Sequence, residues 1–194
     1  MISVSRLPLI ALVAIAAACS SPMSKFYTLA PTVRSETASK TNLAVGVGPV
    51  TVPGAVDRPQ FVLQVAPNRV TLQEYHRWAA PLGEEIAQTV AADLAVLLGT
   101  PDVAPLPAMN FQHDFRVIID VQRFQSIPGE SVKIEAVWSI LDSEEPSRTQ
   151  SHRTTATEKV AGSDFEALAA AHSRALGQLS RQIAKALRQQ TQDG

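Results

Sequence analysis

The chain has 194 residues, 45% hydrophobic and 18% charged, with 17 Lys and Arg against 18 Asp and Glu for a net charge of -1. That balance belongs to a globular chain able to bury one sizeable core, and it excludes an intrinsically disordered protein. No basic block is present to track phosphates and aromatics are sparse at 5%, so nucleic acid is excluded as the expected partner.

Residues 1–18 stand apart from the rest. Met1–Arg6 carries one positive charge, and the twelve residues Leu7–Ala18, "LPLIALVAIAAA", carry none. As a helix that run would be about 18 Å long, short of a hydrocarbon core of about 30 Å, so residues 1–18 are predicted to be a signal peptide and not a membrane span. The only cysteine, Cys19, follows directly. It has no second thiol to pair with, and its place at the end of a leader puts it outside any core. Ala16-Ala17-Ala18-Cys19 resembles the bacterial lipobox, with Ala16 where Leu is usual. The resemblance implies cleavage before Cys19 and a diacylglycerol on its sulfur, which makes Cys19 the expected lipid attachment site. Ser20, where Asp would mark retention, implies sorting to the outer membrane. Ser20–Ser24 is then a tether of at most about 17 Å, and the folded body is held close to the bilayer.

Phe26–Leu29 alternates between two faces and predicts a short strand closed by Pro31. The polar residues 32–42 read as a loop. Residues 19–42 are thus expected to form the lipidated N-terminus, first strand and loop, and residues 43–194 the main domain, whose sheet the strand at 26–29 joins. Leu43–Val52 is a β-branched run suited to a buried strand. Its Gly46-Val47-Gly48 is not a dinucleotide loop, because Thr51 stands where a third glycine is needed; close packing or a bulge is predicted instead. "QFVLQV" and "RVTLQEY" flank Pro67-Asn68 and predict a hairpin.

Pro81–Leu98 predicts a helix, with Leu82, Ile86, Val90, Leu94 and Leu97 on one face and Glu84, Glu85, Gln88 and Asp93 off it. Pro81 suits the first helical position and Gly99 a left-handed stop. "TPDVAPLPAMN" reads as irregular or edge structure. "FRVIIDVQRF", "SVKIEAVWSIL" and "QSHRTTATEKV" predict three antiparallel strands, the first two joined by a turn at Pro128-Gly129. A capping box of Ser163 and Glu166 opens a second helix whose inward stripe runs from Phe165 through Leu168, His172, Leu176, Leu179 and Ile183 to Leu187. Arg181, Lys185 and Arg188 are placed toward its end, where they complement the helix dipole. The expected fold class is α/β, α+β-like: one compact domain, a mixed sheet including an antiparallel meander, and two long helices.

The spacing of polar residues offers no catalytic motif. There is no nucleophile elbow, paired zinc histidine, phosphate loop or C-x-x-C, so neither an enzyme nor a metal or cofactor is predicted. His172 on the helix stripe reads as a hydrogen-bonded core histidine. Pro49–Leu82 holds more Pro, Arg and aromatic residues than a plain hairpin needs. One reading is a rigid turn network, with Asp57 bonding backbone N–H groups and Arg58 or Arg77 pairing with it or stacking on Trp78. The other is a partner interface built from Pro53, Asp57, Arg58, Pro59, Arg77 and Trp78, since Arg and Trp are common interface anchors.

Cys19 followed by "FYTLAP", then "VGPV", "VPGAVDRPQFV" and "RWAAPL" in that order, resembles the ABC-type transport auxiliary lipoproteins. The likeness covers the mature chain. Gly54-Ala55-Val56 is smaller than the residues common before the "DRP", and Ala80 replaces a frequent acidic residue. The resemblance implies a compact α/β domain without catalysis of its own. It also implies partners: an inner-membrane transport component and a periplasm-spanning protein of mammalian-cell-entry (MCE) domains. Together they would move lipids between membranes, with this chain docking the conduit at the outer membrane, facing the periplasm. Because such conduits are ring-shaped, a homo-oligomeric ring is a further expectation. The alternative is a stand-alone periplasmic lipoprotein holding a small hydrophobic ligand in a groove between helices and sheet.

Overall fold

The computed structural model describes residues 22–34 and 40–192. The predicted signal peptide, Cys19 and the middle of the predicted loop over 32–42 lie outside the described residues. Among the described residues, eight strands and two long helices follow in chain order: β1 (Lys25–Tyr27), β2 (Val45–Thr51), β3 (Gln60–Ala66), β4 (Arg69–Trp78), α1 (Leu82–Leu98), β5 (Val103–Pro105), β6 (Phe115–Ile127), β7 (Ser131–Asp142), β8 (Gln150–Lys159) and α2 (Phe165–Gln192). This is the mixed α/β domain the sequence predicts. Among the described residues no helix is long and apolar enough to cross a membrane.

The long strand β6 organises the sheet. Along one edge it pairs antiparallel with β7, which pairs in turn with β8. Its other edge is shared by two arms. The first half of β6 pairs parallel with β2, from Val45 opposite Phe115 to Thr51 opposite Asp120, and β2 carries β5. Leu63 of β3 meets Ser126 near the other end, and β3 carries β4 and then β1. The sheet therefore forks at β6, beside a bulge between Val121 and Arg123.

Alternation along the meander buries one face. Val117, Ile119 and Val121 of β6 and Val132, Ile134 and Trp138 of β7 are all buried. Both helices cover that face, and Leu94, Leu98, Leu176, Leu179 and Ile183 fill the space beneath them. A ligand lodged between helices and sheet would have to displace these side chains. Both predictions for the glycine pair hold. The β2 register shifts between Val47 and Val50, with Gly48 at φ 133, where an L side chain is strained. A methyl group on Gly46 would lie 2.8 Å from Leu106 Cδ1.

Several local expectations are corrected. Pro81 is the cap residue and not the first helical one, because its ψ of 130° is still extended; Gly99 does close α1 at φ 66. Asp164, not Ser163, caps α2: its Oδ1 accepts the Ala167 N–H at 2.7 Å. Arg181, Lys185 and Arg188 fall short of the last turn because α2 runs on to Gln192. Arg188 instead donates to the Leu97 carbonyl, so the C-terminus it serves is that of α1.

The largest departure concerns Glu85 and Asp93, which lie off the apolar stripe yet are buried. The chain leaving β1 runs in a groove between the helices, where Leu29 and Val33 are also buried. Its backbone donors find side-chain acceptors there. Leu29 N–H meets Glu85 Oε2 at 3.0 Å, Ala30 N–H meets Ser173 Oγ at 3.1 Å, and Asp93 Oδ1 accepts Thr32 and Val33 at 3.1 and 3.3 Å. Gly177 of α2 makes room for this segment, since a methyl group there would lie 2.6 Å from Thr32 Oγ1. Residues 29–33 are thereby locked into the core.

Candidate functional site

Backbone bonds shape the loop between β2 and β3. The Pro53 carbonyl accepts both Val56 and Asp57 N–H, at 2.9 and 3.1 Å, and the Val56 carbonyl accepts Arg58 N–H at 2.8 Å. Trp78 N–H then donates to the Pro59 carbonyl at 2.7 Å, and Ala79 N–H to the Tyr27 carbonyl at 2.9 Å. These two bonds bring the loop, the end of β4 and strand β1 to one place.

A cleft of about 470 Å³ opens there, lined by Phe26, Asp57, Arg58, Pro59, Arg77 and Trp78 and continuing to Leu82. Five of the six residues singled out in the sequence thus converge. Pro53 does not; it lines a separate cleft of about 260 Å³ at the fork of the sheet, with Val56, Val62, Val70 and Phe124. Trp78 forms the cleft's inner wall, only 4% exposed. It stacks on Phe61 with ring centres 4.1 Å apart and meets Phe124 edge-on at 6.0 Å. Arg77 turns away from Asp57: its Nε donates to the Glu74 carbonyl at 2.8 Å and its guanidinium lies 3.8 Å from the Glu74 carboxylate. That pair is solvated and holds little energy. Asp57 and Arg58 are exposed, and among the described residues neither joins an ion pair.

Phe26 was not singled out in the sequence, yet it is 63% exposed beside the cleft. The signal was available in "KFYTL": a strand that buries Tyr27 must turn Phe26 the other way. The buried ring of Tyr27 is held by His76, whose Nδ1 lies 2.6 Å from its hydroxyl. Burial, followed by the nearby Glu166 and Asp164 carboxylates, raises the Tyr27 pKa.

Beneath the cleft, His172 is the hydrogen-bonded core histidine the sequence predicts. Its Nε2 lies 2.8 Å from Ser126 Oγ, and its ring stacks on Phe124 at 3.9 Å. Burial pushes its pKa down from 6.5 to about 3. The unfolded chain therefore takes up a proton that the folded one refuses, so the stability from this group is complete above pH 6.5 and is lost as pH falls toward 3. Denaturant titrations should show the domain about 2 kcal/mol less stable at pH 5 than at pH 7 from this group alone. His172→Gln should flatten that slope. Asp93, whose carboxyl is raised by burial against the lowering effect of its hydrogen bonds, acts with opposite sign at the acid end.

Among the described residues, no group of three His, Cys, Asp or Glu side chains converges to hold a metal. What the cleft offers chemically is recognition: an exposed aromatic ring, an unpaired guanidinium and a rigid wall.

Two solved structures share the fold. Protein XCC0632 from Xanthomonas campestris is 21% identical, with a TM-score of 0.73 over 88% of this chain and 98% of that one. An uncharacterized protein is 19% identical, with a TM-score of 0.70 over 86% of this chain and 99% of that one. No curated protein matches the sequence. Residues 27–184, from the buried Tyr27 of β1 to the last third of α2, match the family described as the ABC-type transport auxiliary lipoprotein component, and the chain belongs to that family.

Proposed function

We propose that this protein is a non-enzymatic lipoprotein anchored through Cys19 in the outer membrane, where it docks the periplasm-spanning MCE-domain protein of an ABC-type lipid transport system. The observation that carries the reading is the cleft at Phe26, Arg58 and Arg77. It opens on β1, the first strand after the tether, so a partner arriving at the membrane meets it within a short reach of the anchor. The family membership supports an auxiliary role in ABC-type transport. The MCE partner, the inner-membrane component and the ring of copies follow from the resemblance in the sequence, and the outer-membrane address from Ser20.

An exposed guanidinium without a partner is suited to a carboxylate on the docking protein, and desolvating that pair would make Arg58 an interface anchor. Arg58→Glu combined with Arg77→Glu should leave the thermal melt unchanged and weaken capture of the MCE protein from detergent-solubilised envelopes. About 2 kcal/mol for the pair corresponds to roughly a 30-fold loss of affinity. Undiminished capture would remove the cleft from the docking site.

A further inference from the structure

Eight large apolar side chains are exposed among the described residues, and six of them fall on β1, the residues just before it and the β3–β4 hairpin: Met23, Phe26, Val65, Val70, Leu72 and Tyr75. Met23 precedes β1, Phe26 lies within it, and the other four belong to the β3–β4 hairpin. The hairpin is also an open edge. β1 pairs with His76, Arg77 and Trp78, and among the described residues no strand pairs with Arg69–Tyr75 of β4 on that side. An arm with apolar side chains and unpaired backbone groups is a liability in water unless something covers it.

The register says what lies nearby. β1 and β4 are parallel, with Lys25 opposite His76. The earlier residues of β4 therefore extend backward past the start of β1, on the side from which the tether enters. Arg69 is seven positions before His76, a distance of about 20 Å along a strand. From Cys19 to Lys25 the chain has six steps and reaches at most about 20 Å. The hairpin tip thus comes level with the anchored sulfur when the tether is fully stretched along the strand, and passes into the bilayer when the tether is shorter. The Pro128–Glu130 turn lies at the same end, because β6 runs parallel to β3. Met109, the most exposed apolar residue at 94%, lies in the loop before β6, at the opposite end.

We propose that the tip of the β3–β4 hairpin is a bilayer contact, in which Val65, Val70 and Leu72 enter the membrane that holds the Cys19 anchor and set the domain's orientation on it. The inference rests on reading Cys19 as the anchor. Its drive is the exposed apolar surface of these three side chains.

The test holds the mature chain, with a histidine tag in place of Cys19, on nickel-chelating vesicles of phosphatidylethanolamine and phosphatidylglycerol. The tether starts where it would in the lipidated protein, so the result does not depend on lipidation, which intact mass reads separately. Val70→Cys, Leu72→Cys and Met109→Cys each carry an environment-sensitive fluorophore, and a nitroxide on the lipid acyl chains serves as quencher. Positions 70 and 72 should shift to the blue and lose emission, position 109 should do neither, and high salt should leave the pattern unchanged. Equal quenching at all three positions, or at none, would overturn the proposal. So would shielding of 70 and 72 that grows with protein density without quenching, which would assign the arm to a second copy of the chain.

Discussion

Asp93→Ala is expected to destabilise the domain by about 3 kcal/mol, lowering the melting temperature by about 10 °C. Both Thr32 and Val33 N–H groups are received by the same oxygen, Asp93 Oδ1, while Ser180 Oγ lies 3.1 Å from Oδ2 and 2.9 Å from the Leu176 carbonyl. Alanine leaves two backbone donors without an acceptor in the groove between the helices, and each costs about 1–3 kcal/mol. Ser180 keeps the Leu176 carbonyl and loses little. Asp93→Asn should behave differently. Its carbonyl oxygen can keep both backbone bonds, its amide can donate to Ser180 Oγ, and the burial that raises the carboxyl pKa no longer opposes a charge. We expect Asn within about 1 kcal/mol of the parent. Hydrogen exchange should locate the Ala defect in residues 29–33. Equal losses for Ala and Asn would show that the carboxylate charge, and not its acceptor geometry, holds the segment.

Cys19→Ser is expected to abolish membrane attachment while leaving the melt unchanged, because the substitution precedes β1 and every core residue. One acyl chain binds a bilayer with a constant on the order of 10⁴ M⁻¹, which is marginal and reversible, whereas two hold stably. A lipoprotein's several chains make attachment permanent, and serine supplies no sulfur for them. The variant should appear in the soluble periplasmic fraction or remain uncleaved at the inner membrane, with transport lost. Intact mass and fractionation read the first effect, and a transport-dependent growth phenotype the second. Full transport from an unlipidated variant would overturn the proposal that the protein acts as a docking site fixed to the far membrane.

What could be read in the sequence by itself were the features whose causes are local. The stripe from Leu82 to Leu97, the alternation from Phe115 to Val121, the hairpin across Pro67-Asn68 and the bulge at Gly46–Gly48 each record a buried face or a strained turn within a few residues. His172 was legible because its place on an apolar helix stripe leaves it only the core.

The tertiary structure alone decided the rest. Glu85 and Asp93 have the sequence signature of solvated helix residues, and only the partners Leu29, Thr32 and Val33, 56 to 61 positions earlier, make burying them tolerable. The fork at β6 follows from β2 and β3 sharing one edge, which no periodicity encodes. The cleft joins Phe26 to Arg58 and Arg77 through bonds between the Pro59 and Trp78 backbones and between those of Tyr27 and Ala79. Periodicity states which face of an element is apolar. What covers that face depends on contacts between residues far apart in the chain, and these exist only once the core has closed.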